Sequence, residues 1–200
     1  MNTTFLHLED TIRKKIVLKK KGVYIIFFHN LSGNLVCEIK ASRVDLTVVG
    51  LYTGNKMQEF TLTTTQHHFS PFSRSRLLIK GIFDGMSKFK YSGRIRIEKK
   101  AKGTHASQKN QNLVISENTL VDTEPCLEIM SDDVFCTHSA TTIQPERDSL
   151  FYFASKGIKE KKAQKLILRG FIEELFEFFP PLLHNKQIIK LKNSVLTRYD

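Results

Sequence analysis

Cysteine is scarce in this sequence and long apolar runs are missing, and each shortage excludes a class of protein. Three cysteines, Cys37, Cys126 and Cys136, are too few and too irregularly placed for a disulfide framework. Their odd number fits free thiols in a reducing compartment. No CxxC pair is present to build a cysteine-rich zinc site. Apolar stretches such as Val23 to Phe28 fall far short of the roughly 20 residues that cross a bilayer. Met1 to Thr4 form no basic segment leading into an apolar one, so the expectation is a soluble, non-exported, cytoplasmic chain with no membrane partner. A phosphate-cradling GxxxxGKS or GxxxxGKT loop is also missing, which leaves nucleotide hydrolysis to some other protein.

What is present is a basic chain of 200 residues, with 31 Lys and Arg against 20 Asp and Glu and a net charge of +11. A content of 40% hydrophobic and 26% charged residues fits one globular domain with a small appendage. The basic residues cluster at Arg13 to Lys21, Lys88 to Lys102 and Lys156 to Lys165, without regularly spaced aromatics or a known nucleic-acid module. That distribution points to solvated faces and an acidic protein partner in preference to DNA or RNA. A β-helix enzyme acting on acidic polysaccharide would also explain the charge, but it needs clustered carboxylates and a catalytic Arg or Lys that the sequence does not show.

From Gly22 to about His138 the chain is a succession of short β-rich runs bounded by turn residues. The runs are Val23 to His29, Leu35 to Ile39, Val44 to Leu51, Phe60 to Thr64, Leu77 to Phe83, Phe89 to Ile97, Asn112 to Ile115, Cys126 to Met130 and Val134 to Cys136. In the sixth run Phe89, Tyr91, Ile95 and Ile97 share one side while Lys88, Lys90, Arg94 and Arg96 take the other, so one face is wet. Recurrence at roughly 12 to 18 residues, with few tight-hairpin dipeptides, suits either a sandwich or a stacked solenoid. No hexapeptide repeat is visible, which disfavours a left-handed acyltransferase-type helix.

After Thr142 the pattern becomes helical. Pro145 and Gly157 bracket a short helix carrying Leu150, Phe151, Phe153 and Ala154. A longer helix follows, with Ala163, Leu166, Ile167, Gly170, Phe171, Leu175 and Phe178 at three- and four-residue steps, ending at Pro180 and Pro181. A third short helix over Leu183 to Leu191 is allowed. The expected organisation is therefore a basic N-terminal segment at 1–21, a β core at 22–142 and a helical domain at 143–200.

Three consecutive blocks resemble a known family. Residues Asn112 to Thr142, NLVISENTLVDTEPCLEIMSDDVFCTHSATT, match an NLLLSD-like strand followed by VDTKPELEI and ADDVKCSHGAT. Ser75 to Gln111 resemble a strand, a DG turn, an FxGxI strand and a Gln/Asn-rich link, and Ser149 to Glu177 resemble LFYLRSRGI with an RGF-bearing terminal helix. In order and spacing, from about Val44 to Phe178, these are the blocks of the SufB/SufD family of iron–sulfur cluster assembly scaffolds, in its SufD form. Its members are usually longer, so this chain resembles a shortened version.

The resemblance implies a mainly β fold, a right-handed parallel β-helix core followed by a small C-terminal α-helical domain. It implies a non-catalytic scaffold subunit working with the ATPase SufC and with a SufB-type subunit or a second copy of itself. No cofactor is expected to stay bound to the chain alone; iron or a nascent iron–sulfur cluster would be held transiently in the complex. His138 matches the His of the family's CSHGAT motif, which faces SufB's key Cys. Its imidazole is a candidate iron ligand or proton relay, or else a strand-end hydrogen-bonding group.

Cys136, two residues earlier on an extended strand, is a second candidate iron ligand on the same side, or a small buried hydrophobe. Thr119 and Asp122 stand where the SufB branch has Cys and His, which favours the SufD form, whereas Ser139 and the SATT run lean towards an undifferentiated homodimer. Glu128, Asp132 and Asp133 are candidates for an acidic group near His138, or else Asp132 and Asp133 simply make the turn. Cys126, Cys37, His67 and His68 are expected to be structural. For SufC docking the matching helical blocks give Phe151, Tyr152, Gly157, Ile158, Gly170 and Phe171, with Lys159, Lys161 and Lys162 as steering charges.

Overall fold

The computed structural model describes residues 3–8, 14–145, 147–178 and 186–197. Its eleven strands alternate between two sheets. The first sheet holds β1 (Thr3–Leu8), β3 (Gly22–His29), β5 (Val44–Gly54), β7 (Arg74–Phe83), β9 (Thr104–Val114) and β11 (Val134–Ile143), in that order. The second holds β2 (Lys14–Leu18), β4 (Gly33–Ile39), β6 (Glu59–His68), β8 (Lys88–Ile97) and β10 (Leu120–Ile129). Every pairing is parallel, so each strand crosses to the other sheet before the next coil begins. The open choice between sandwich and solenoid is thus resolved in favour of a parallel β-solenoid.

The coils differ in length. Hydrogen bonds between successive coils link residues 21 to 24 apart near the start of the chain and 29 to 32 apart further on. The lumen between the sheets is apolar in the early coils, where Phe28, Tyr52, Phe83, Phe89 and Tyr91 pack in one cluster. Tyr52 and Phe89 lie 4.5 Å apart and Phe83 and Phe89 5.0 Å apart, within the range of favourable ring contacts. Towards β9 and β11 the lumen turns polar, with Gln66, His68, Ser75, Gln108, Asn110 and Asn112 all buried. Space there is tight: a Cβ on Gly93 would meet Gln108 Nε2 at 2.0 Å and the Tyr91 hydroxyl at 2.4 Å, so a larger residue there requires both side chains to move.

The second sheet is wet on its outer face, and β6 and β8 alternate buried and exposed positions as the sequence of β8 implies. The first sheet is covered on its outer face by helices. Helix α2 (Glu160–Phe178) sets Leu168, Ile172, Leu175 and Phe176 against Phe27, Val49, Leu51, Leu78 and Ile82. Helix α3 (Lys186–Thr197) adds Ile188, Val195 and Leu196 to the same core. Helix α1 (Arg147–Ser155) stops where Gly157 takes a φ of +75°, with Gly157 N–H on Ala154 O and Ile158 N–H on Phe153 O. Among the described residues no helix is long and apolar enough to cross a membrane.

Three expectations need correction. The basic segment 1–21 contains β1 and β2, whose Leu8 and Leu18 are part of the lumen core, so it belongs to the solenoid. The Gln/Asn-rich stretch expected as a link is strand β9: its inward residues are polar because they fill a polar lumen, which hides the hydrophobic alternation of a strand. The third helix runs over Lys186–Thr197, later than the expected Leu183 to Leu191, and Pro180, Pro181 and Leu183 lie outside the described residues.

Candidate functional site

At the end of the last coil the solenoid is open, as it also is among the described residues at β1 and β2. β11 is bonded only to β9 and β10 only to β8, so both strands present a free backbone edge. Leu120 and Phe135 are 61% and 62% exposed there, and Ile129, Met130 and Ile143 are also exposed. A parallel stack ends this way when nothing covers its final rung.

His138 stands in the middle of β11, in register with Gln108 of β9, which is in turn in register with Leu77 of β7. Gln108 and Leu77 both point into the lumen, so His138 occupies the lumen side of the final rung and, with no further coil above it, is exposed. Cys136 follows the same parity beside Ala106 and packs against Ile95, Ile97, Ala101 and Ala106 while remaining partly exposed. Burial pushes its thiol up from the ordinary range, and a backbone hydrogen bond at Ala106 only partly offsets this. The thiol is therefore protonated at neutral pH.

Of the acidic candidates none joins His138, and Asp132 and Asp133 make the turn, as the other reading of them has it. Glu128 is on the outer face of the second sheet, bound to Arg94 at 3.1 Å and Arg96 at 3.6 Å, so it is not part of a group with His138. Asp132 and Asp133 are exposed turn residues, and Asp133 O accepts the Gly103 N–H. Among the described residues no three His, Cys, Asp or Glu side chains are arranged to hold a metal ion. Thr119 donates its hydroxyl to Gly85 O at 3.2 Å, and Asp122 lies 3.8 Å from Lys90.

The remaining cysteines and histidines are spread through the fold. Cys126 is in register with Arg94, on the outer side of the second sheet. Cys37 is sealed in the lumen, where burial pushes its thiol up to about 12. His67 meets Glu98 at 2.7 Å and stacks on Phe69. His68 is completely buried, with Nε2 on Ser75 Oγ at 2.8 Å.

The helical candidates divide into two groups. Phe151 and Tyr152 of α1 are 76% and 61% exposed, Gly157 and Gly170 are exposed, and Ile158 is half-buried. Lys156 caps the Tyr152 ring at 5.6 Å, and Lys159, Lys161 and Lys162 are exposed beside it. Phe171 is half-buried and already engaged within the chain. The ammonium of Lys80 lies 4.2 Å from its ring and donates to its carbonyl at 3.0 Å, while also pairing with Glu174. Lys80 is almost fully buried, and burial pulls its pKa down against the opposing pull of Glu174. Sequence reasoning missed this clamp, although Arg74, Arg76, Leu78 and Lys80 share one side of β7 and mark a second, polar contact face.

Comparison with known proteins adds a finding to this geometry. Residues 15–171 match the family described as SUF system FeS cluster assembly, SufBD core domain. Over 152 residues the chain is 30% identical to an iron–sulfur cluster assembly SufBD family protein of Synechocystis, covering 76% of this chain and 33% of that one. Over 149 residues it is 32% identical to the iron–sulfur cluster assembly protein SufD of Escherichia coli, covering 74% and 34%. A chloroplastic SufBD family protein of Arabidopsis thaliana is 27% identical over 145 residues. The chain spans about a third of the length of the first two relatives.

Proposed function

The chain belongs to the SufBD-core family of iron–sulfur cluster assembly proteins, and from that premise we propose that it acts as a SufD-type scaffold subunit, non-catalytic itself, in a cytoplasmic complex. The partners of this reading are a SufB-type subunit at the open coil and a SufC-type ATPase at the helices. The observation that carries it is the uncovered final rung, where two free strand edges and exposed apolar side chains lie in the same coil as His138. A second subunit ending in the same way would satisfy those edges by continuing the sheets.

In this arrangement the cluster is the cargo. His138 offers one imidazole nitrogen towards iron at the junction, and Cys136 offers a sulfur that must first lose its proton. The partner supplies the remaining thiolates, which fits Thr119 standing where the SufB branch has its Cys. The exposed pair Phe151 and Tyr152, flanked by lysines, suits docking of an acidic-rimmed partner by the α1 face.

The test is co-expression with SufB-type and SufC-type subunits. A ternary complex is expected, and His138→Ala should abolish most of its cluster absorption while leaving complex formation and melting temperature unchanged, because an exposed side chain contributes within about ±0.5 kcal/mol. A complex that assembles its cluster equally well with His138→Ala would reject the role given to His138. Failure to recover any complex would reject the scaffold reading itself. Recovery of a homodimer alone, through the same edge, would assign the second copy as partner.

A further inference from the structure

On the outer face of the first sheet, beside α2, strands β7, β9 and β11 leave a cavity of about 230 Å³. Register sets its wall: Arg76 is beside Ser107, which is beside Thr137, and Leu78 is beside Lys109, which is beside Ser139. Neighbouring strands lie ~4.8 Å apart and alternate residues share a face, so two cationic side chains and three hydroxyls converge on one small volume. A second cavity of about 180 Å³ shares Arg76 and Ser107 and is extended by Arg74, His105 and Phe135, again in register across the three strands.

Among the described residues the charges of this cleft are not balanced. Arg76 reaches Asp45 through one terminal nitrogen at 3.2 Å, while its Nε is buried without a hydrogen-bond partner. Glu174, on the far wall, is taken up by Lys80. No described carboxylate pairs with Lys109, whose charge is felt by buried Lys80. The buried amide oxygen of Gln111, also without a partner, can accept the proton of a monoanionic phosphate. Unused donors, excess positive charge and several hydroxyls in a concave site are the chemistry that recognises a tetrahedral oxyanion.

We propose that this cleft binds a phosphate group at Arg76, Ser107, Lys109 and Thr137. The group is either free phosphate or the end of a small organic phosphate whose body follows the second cavity towards His105 and Phe135. Those two rings lie 5.9 Å apart and form an apolar-faced wall for such a body. His138 also lines the cavity, but none of the four named donors is His138 or Cys136, so their variants test this site apart from the cluster-assembly reading.

The experiment is an amide-resolved NMR titration of the full chain with inorganic phosphate and, separately, with ribose 5-phosphate. Saturable shifts are expected at Arg76, Ser107, Lys109 and Thr137. Equal affinity for the two probes identifies free phosphate as the ligand; tighter binding of the ester with added shifts at His105 and Phe135 identifies an organic phosphate. Lys109→Gln should weaken binding about tenfold, equivalent to about 1.4 kcal/mol. Lys88→Gln, on the opposite sheet and paired with Glu59, should leave it unchanged. The proposal is overturned if neither probe gives saturable shifts, if shifts spread evenly over the basic clusters, or if Lys109→Gln keeps a folded spectrum and binds as the wild type does.

Discussion

The ring of His68 is completely enclosed in the polar part of the lumen, where Ser75 serves Nε2 and Nδ1 has no partner. Burial, and then the neighbouring charge of His67, pull its pKa down to about 4 from its ordinary value near 6.5. The unfolded chain therefore binds more protons than the folded one between those two values, and stability falls as pH drops through that window. The shift corresponds to about 3 kcal/mol at most. Urea unfolding at a series of pH values should show this loss in the wild type and a flatter profile in His68→Gln. Equal slopes for both proteins would mean that the buried imidazole does not control acid sensitivity.

At the scale of the elements, α1 and α2 use their aromatic residues differently although the sequence presents them alike. Phe151 is free of the core, whereas Phe171 holds α2 to the sheet through Lys80. Phe151→Asp should leave the thermal midpoint within a few degrees of the wild type and abolish capture of a SufC-type ATPase. Phe171→Asp should lower stability by about 1–3 kcal/mol, because it disturbs a buried ammonium and its partners. Loss of ATPase capture by Phe171→Asp alone would then report helix displacement. A Phe151→Asp protein that still binds normally excludes the exposed α1 face as the dock.

For the whole molecule, a solenoid stabilises each coil through its neighbours, so removing a terminal coil exposes the one beneath it. β1 and β2 bury Leu8 and Leu18 against the lumen core. Each fully buried leucine contributes about 1.5–3 kcal/mol, so deletion of residues 1–21 should cost about 3–6 kcal/mol, read as a lower urea midpoint. An unchanged midpoint would show the first coil to be dispensable. At the opposite end β10 and β11 leave an unpaired rung with exposed apolar side chains, and binding a second subunit there should raise the apparent stability of the complex by mass action.

The sequence by itself determined the family, the strand-rich core, the change to helix after Thr142 and the solvated face of the second sheet. Those features are local: ordered motif blocks, Gly157 as a helix stop, and the two-residue alternation of β8 with one side in water. Only the tertiary structure decided which residues meet. In β3, β5 and β7 both faces are largely buried, and in β9 the inward residues are polar, so the hydrophobic alternation that marks a strand is lost there. Glu128 was separated from His138 because β10 and β11 belong to different sheets, and Arg76 was joined to Ser107, Lys109 and Thr137 because successive coils place residues about 30 apart side by side. Register over such distances depends on the length of every turn between them, and no local pattern of residues encodes it.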